Sequence, residues 1–333
     1  MTTTKRPTIA TVAERAGVSK SLVSLVMRNA PNVSDARRQA VLDAAAELGY
    51  RPNLAARSLV ERRTRTLGVL VNDLHNPFHA EVIDGLHESA HERGLRLVLG
   101  TGRRDPAQET EVLESFLAQD VDGLILLSPA FPQRTLAAAA KQVATVVVGR
   151  DDLRAARCDV IVNDDDAGGA LPVDHLVGLG HARIAHIAGL GAGGPRRREG
   201  YEAAMARHGL EPIVAEGDFT DEGGYEGARA LLAARERPSA IFACNDLAAI
   251  GALTAIEEAG LSVPGDVSLV GYDNSYLARV RHISLTSVDQ PRAEMGRMAV
   301  EAVIERRESP ASPARVRTVA PHLVERSSTA SPG

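Results

Sequence analysis

The sequence predicts an N-terminal all-α unit with a helix-turn-helix plan, followed by an α/β body of two doubly wound, parallel-sheet lobes. Three observations carry this. Apolar residues recur at helical spacing through the first fifty positions, with a glycine turn and capping residues between the runs. From Leu67 onward, short β-rich apolar runs alternate with helical stretches. The charge is also divided: residues 1–65 hold twelve Lys and Arg against five Asp and Glu. That balance of +7 leaves −12 for the rest of a chain whose net charge is −5.

A basic head on an acidic body points to a polyanion at one end only, although a merely solvated basic face fits the charge alone equally well. At 333 residues the chain exceeds one ordinary core. A hydrophobic fraction of 44% with 24% charge is that of a soluble globular protein. No apolar stretch approaches the roughly 18 residues of a membrane span, and MTTTKRPTIATVAERAG has no apolar signal-peptide core. Cys158 and Cys244 give neither a disulfide framework nor a metal cluster. A reduced, cytoplasmic protein with no membrane partner is expected.

In the head, Ile9, Val12, Ala13 and Ala16 mark one face of a first helix. Gly17 suits a left-handed turn and Ser19 suits the cap of a second helix, roughly Lys20 to Arg28, with Leu22, Val23 and Val26 inward. Ala30-Pro31-Asn32 breaks the chain, and Ser34 is expected to cap a third helix, Asp35 to Leu48, ended by Gly49. Two short helices about a glycine turn, packed on a third, are the plan whose second helix enters the DNA major groove.

The stretch TIATVAERAGVSKSLVSLVMRNAPNVSDARRQAVLDAAAELGYRPNLAARSL closely resembles the DNA-binding segment of the lactose/galactose repressor (LacI/GalR) family. By that resemblance Lys20, Ser21 and Leu25 face base edges. Lys20 suits guanine and Ser21 either purine, whereas Leu25 replaces a usual polar residue and can only touch a thymine methyl, which implies an unusual operator. Thr8, Ser19, Ser24, Arg28 and Ser34 are candidates for phosphate contacts, with an ordinary solvated charge the other reading of Arg28. Asn53 to Val60 is a marginal helix on its own. The resemblance makes it a hinge that folds on DNA, with Ala56 in the minor-groove segment and Leu59 as the wedge; packing of Leu59 on a dimer partner stays open.

In the body, strands are expected at 67–71, 95–99, 123–127, 145–149, 183–188, 240–244 and 267–271, with helices including Phe78 to Arg93, Ala107 to Gln119 and Leu247 to Ala259. Unalternating apolar strands between helices imply parallel sheets covered on both faces, with ligands bound beyond the strand carboxyl ends. The segments NPFHAEVIDGL, DHLVGLGHARIAHIAG, CNDLAAIGAL, VPGDVSLVGYDN and HLVERSST resemble the same family's sensor domain, which is periplasmic-binding-protein-like. The cleft candidates are Phe78, Asp164, Arg197, Phe219, Asn245 and Asp273. Arg197 offers a fork of donors, the carboxylates and Asn245 can bridge hydroxyls, and the two rings can cover a sugar or stack on a purine. Without the resemblance Phe78 and Phe219 read more readily as core, and Asp246 either meets the ligand or caps the next helix. Pro172 falls within the expected helix Gly169 to Leu179, where it would kink any turn but the first.

The expected divisions are a head at 1–50, hinge and linker at 51–65, an effector-binding body at 66–328 and a disordered tail at 329–333. One lobe takes about 66–164 and 290–319, the other about 165–289 and 320–328. No nucleophile elbow, Walker-type loop or metal-binding helix motif is present. After the glycine-rich run Gly189 to Gly194 come Pro195 and three arginines rather than a phosphate-cradling helix. No enzyme activity, cofactor or metal is expected. The resemblance implies a homodimer that binds a pseudo-palindromic double-stranded operator. A small effector controls it, a sugar inducer or alternatively a purine-like corepressor. A transporter's solute-binding protein would lack the basic head, and an architectural DNA protein would lack the sensor.

Overall fold

The computed structural model describes residues 7–27, 30–50 and 63–333. The chain divides into two compact units between Thr64 and Arg65. Arg28, Ala56 and Leu59 lie outside the described residues.

The head contains α1 (Ile9–Arg15), α2 (Lys20–Met27) and α3 (Asp35–Glu47). Thr8 caps α1 reciprocally with Thr11: the Thr11 N–H donates to Thr8 Oγ1 at 3.4 Å, and the Thr8 N–H donates to Thr11 Oγ1 at 2.9 Å. Gly17, at φ +65°, makes the turn, and Ser19 Oγ accepts from the Leu22 N–H at 3.2 Å. Ser34 stands at the head of α3 but its hydroxyl makes no capping bond, contrary to expectation. Asp35 in the first turn places negative charge at that end of the helix instead. Val12, Val23, Val26, Val41 and Ala44 close a small core.

The body begins with β1 (Thr66–Val71), α4 (Pro77–Glu92), β2 (Arg96–Thr101), α5 (Pro106–Ala118), β3 (Gly123–Leu127), α6 (Gln133–Gln142), β4 (Thr145–Val148) and β5 (Cys158–Asn163). It crosses to α7 (Asp165–Gly178), β6 (Ile184–Ala188), α8 (Gly194–Arg207), β7 (Ile213–Glu216), α9 (Asp221–Leu232), β8 (Ala240–Ala243), α10 (Asp246–Glu258), β9 (Ser268–Asp273) and β10 (Thr286–Asp289). The chain then returns through α11 (Arg292–Glu308) and β11 (Val316–Val319), and crosses a third time into β12 (His322–Val324).

One sheet has the order β11-β5-β4-β3-β1-β2 and the other β12-β10-β9-β8-β6-β7. Strands β1, β3, β4, β6 and β8 are buried along their whole length, as parallel strands covered on both faces must be. In β1, Leu67, Val69 and Val71 pack with α4 and α11, while Leu70 packs with Leu113 and Phe116 of α5. Gly85 and Gly296 bring α4 and α11 into close contact: a Cβ on Gly85 would lie 2.2 Å from the Ala293 carbonyl oxygen.

Among the described residues, every strand pairing is parallel except β10 with β12. The exception follows from connectivity. The chain leaves the first sheet at its strand carboxyl ends, enters the second at the same edge, and must run back against β10.

Two local expectations change. Pro172 lies in the middle of α7, which begins four residues before the expected start and runs through it. Thr329 and Ala330, at the start of the expected disordered tail, are tied down: the Ala330 N–H donates to Ser268 Oγ at 3.0 Å and the Ala330 carbonyl meets His181 Nε2 at 2.9 Å. Buried His181 and Ser268 gain partners from this tail.

Candidate functional site

The head offers one surface of interest. On α2, Val23 and Val26 point into the core while Lys20, Ser21 and Leu25 are exposed, with Leu25 at 38%. Thr8, Ser19 and Ser34 are exposed and Ser24 is half-buried. Ser21 and Leu25, four residues or about one turn apart, lie one above the other, and exposed Lys20 flanks them at the start of the helix.

The body's site is the cleft where the strand carboxyl ends of both sheets meet, a cavity of about 230 Å³. Phe78, on the first turn of α4, and Phe219, before α9, both line it. Phe78 is placed by the cap of α4, where its own N–H donates to Asn76 Oδ1 at 3.0 Å. Phe219 holds a left-handed φ of 64° and Asp273, at the end of β9, a φ of 101°. Such conformations persist where surrounding structure over-determines them.

Arg197, on the first turn of α8, is buried at the cleft floor. Its Nε donates to Asp165 Oδ1 at 2.9 Å and its Nη1 to the Cys244 carbonyl at 2.7 Å. Asp273 Oδ1 lies 3.9 Å from Nη1 and accepts from Gln290 Nε2 at 2.5 Å. Burial holds the Asp273 carboxyl well above the usual carboxylate range; nearby Asp246 pushes the same way and Arg197 opposes. Tyr272 donates to Asp165 Oδ1 at 2.8 Å and receives Asn163 Nδ2 at 2.6 Å, tying the end of β5 to β9 across the lobes.

Two sequence candidates do not line the cleft. Asp164 is exposed, and its Oδ1 accepts from the Ala167 N–H at 3.0 Å as the cap of α7. Asp165 lines the cleft in its place. Asn245 is buried; it caps α10 by accepting from Ala248 N–H at 2.8 Å and donates to the Phe219 carbonyl at 3.1 Å. Helix caps and ligand contacts use the same residue types at the same strand ends, which is why spacing alone confused them. Asp246 is neither cap nor lining residue: it is buried and accepts from the Ser275 N–H and the Ser287 hydroxyl, both at 2.6 Å.

Sequence reasoning missed Asn72, Arg104, Arg150 and Gln290, all in the cleft lining. Asn72 and Arg150 follow the β1 and β4 runs almost directly, so the strand-end rule that found Asp273 could have found them. The glycine-rich run does lead into a helix, α8, which starts at Gly194 and carries Pro195 in its first turn, where proline is tolerated. Among the described residues, no group of three or more His, Cys, Asp or Glu is placed to hold a metal. Likewise, among the described residues, no helix is long and apolar enough to cross a membrane. Burial pushes the Cys158 and Cys244 thiols up to about 12.

A helix-turn-helix unit with an exposed second helix, joined to a two-lobed body with a polar cleft, defines a DNA-binding regulator with a ligand sensor. Residues 8–53 match the model of bacterial regulatory proteins of the lacI family, and residues 173–329 match that of a periplasmic binding protein-like domain. The ribose operon repressor of Escherichia coli (strain K12) is 37% identical over 96% of this chain and 99% of its own. The transcriptional repressor PurR of Erwinia tasmaniensis is 34% identical over 97% of each chain. A lac repressor dimer bound to operator and the anti-inducer ONPF superposes with a TM-score of 0.86 at 29% identity, covering 98% of this chain and all of that one. The chain belongs to the LacI family and is a ligand-regulated transcriptional repressor.

Proposed function

We propose that this repressor is released from its operator by a monosaccharide-sized polyol bound between Phe78 and Phe219. The observation that carries the reading is the Arg197–Asp273 pair at the cleft floor, a donor fork beside a carboxylate, which suits adjacent hydroxyls. A cavity of about 230 Å³ lies below the roughly 300–1,000 Å³ of drug-sized sites. Most of the residues that line it are polar and the ion pairs within it balance locally, Arg197 with Asp165 and Arg104 with Asp73, so a neutral ligand suits it better than an anion. The ribose repressor among the relatives agrees with this; the purine repressor at similar identity supports the corepressor alternative.

In this reading the chain acts as a homodimer on a pseudo-palindromic operator, like the lac repressor dimer. Lys20, Ser21 and Leu25 read bases, while Thr8, Ser19, Ser24, Arg28 and Ser34 hold phosphates. Residues 51–65, with Ala56 and Leu59, transmit the state of the cleft. The effector must bind one state more tightly than the other, typically by about 1–3 kcal/mol. A thermal-shift panel of pentoses, hexoses, disaccharides, polyols and purines tests it: ligand at about 100 times its Kd adds roughly 2.7 kcal/mol of stability. A monosaccharide hit that lowers operator affinity supports the reading, and a purine hit that raises it replaces the inducer with a corepressor.

A further inference from the structure

The lobe-1 wall of the cleft is built around a carboxylate that does not itself line the cleft. Glu109, in the first turn of α5, is fully buried. Its Oε2 accepts from the Ala130 N–H at 2.6 Å and the Phe131 N–H at 3.2 Å, and its Oε1 accepts from Asn72 Nδ2 at 3.0 Å. Asn72 and Ala130 both line the cleft. Burial pushes the Glu109 carboxyl up, and these same three hydrogen bonds oppose the shift.

An ionised carboxylate has no proton to donate, so it accepts only. That fixes the Asn72 amide: Nδ2 must turn toward Glu109, and Oδ1 is left as the atom available to a ligand. We infer that Glu109 is a specificity-setting positioning residue, which makes Asn72 a hydrogen-bond acceptor in the cleft and thereby selects an effector that presents a hydroxyl or N–H donor there. This rests on the polyol reading given above.

In Glu109→Gln, the introduced amide keeps its oxygen on the Ala130 and Phe131 N–H groups, and its nitrogen must donate to Asn72. The Asn72 amide then turns over and presents Nδ2 to the ligand, so a donor faces a donor. Adding Asn72→Asp restores an acceptor: the introduced glutamine donates to one oxygen of the introduced aspartate, and the other oxygen faces the cleft. The double variant exchanges carboxylate and amide between the two positions at constant net charge.

Calorimetric titration of the full chain with D-ribose as probe tests this. Glu109→Gln should weaken binding by about tenfold or more, and the double variant should recover to within a few-fold of the original protein. Binding unchanged in Glu109→Gln overturns the inference. So does a double variant that melts normally yet binds as weakly as the single one. If the unaltered protein does not bind D-ribose, the failure belongs to the monosaccharide reading, and hydrogen exchange with isotope-labelled asparagine decides Glu109. The Asn72 side-chain amide protons, assigned through Asn72→Asp, should exchange slowly in the original protein and much faster in Glu109→Gln; equal rates overturn the assignment.

Discussion

The guanidinium carbon of Arg197 lies 3.8 Å from the centre of the Tyr272 ring, stacked on it while Nε is held by Asp165. A planar fork on an aromatic face keeps one orientation, which a flexible ammonium would not. Arg197→Lys should therefore abolish the effector response in an operator-binding assay while leaving operator affinity in place. Loss of both together would assign Arg197 to the fold alone.

Asn245→Ala separates a helix cap from a ligand contact. Loss of the bonds to Ala248 and Phe219 should cost about 1–2 kcal/mol in chemical denaturation. Effector affinity should fall only a few-fold, through looser placement of Phe219. A hundredfold loss of affinity without destabilisation would return Asn245 to the cleft.

For the head, Lys20→Ala should weaken operator binding more than binding to random-sequence duplex. Loss of a base contact costs roughly 1–3 kcal/mol of discrimination, whereas loss of a phosphate contact weakens both duplexes alike and reduces the salt slope by about one.

His186 is fully buried between Phe242 and Tyr201, its Nδ1 bonded to the Phe242 carbonyl at 3.0 Å. Burial pushes it down to about 3. The folded state thus holds the neutral ring, while the unfolded chain takes up a proton below about 6.5. Stability from this group is present above that pH and is lost as pH falls toward 3, by up to about 1.4 kcal/mol per pH unit. His186→Phe should flatten that limb in urea titrations run from about pH 7 to about pH 4. An unchanged slope would mean that other groups dominate acid sensitivity.

Truncation after Ser328 should cost roughly 1–3 kcal/mol, because it strips the tail's bonds from His181 and the Ser268 hydroxyl. A melting temperature equal to that of the full chain would show that solvent replaces those bonds freely.

Strands β1, β2, β3, β4, β6, β8 and β9 were legible because buried parallel strands leave unbroken apolar runs between helices, whereas β5, β7, β10, β11 and β12, short or mixed with polar residues, were not. Arg197, Phe78, Phe219 and Asp273 were legible because strand and helix ends converge on one cleft. Asp164 and Asn245 misled because capping a helix and touching a ligand ask for the same side chains, and only three-dimensional direction separates them. Glu109 was invisible for another reason: it sits in the first turn of a helix, as surface glutamates commonly do, and its importance arises from a loop about twenty residues away. The tail misled because small and polar residues signal disorder, whereas here backbone groups, which composition does not report, make the bonds.

The third crossing of the chain also has a consequence for synthesis. The second lobe's helices and all but one of its strands lie within one continuous stretch, Asp165–Asp289, while the first lobe lacks α11 and the edge strand β11 until Val319 has been made. The lobe begun first is thus completed late, and its central strands wait on the ribosome with the face meant for α11 uncovered. In the cell this apolar face is where chaperones would bind the nascent repressor, and slowing translation between Asp289 and Val319 should lower its soluble yield more than slowing it elsewhere.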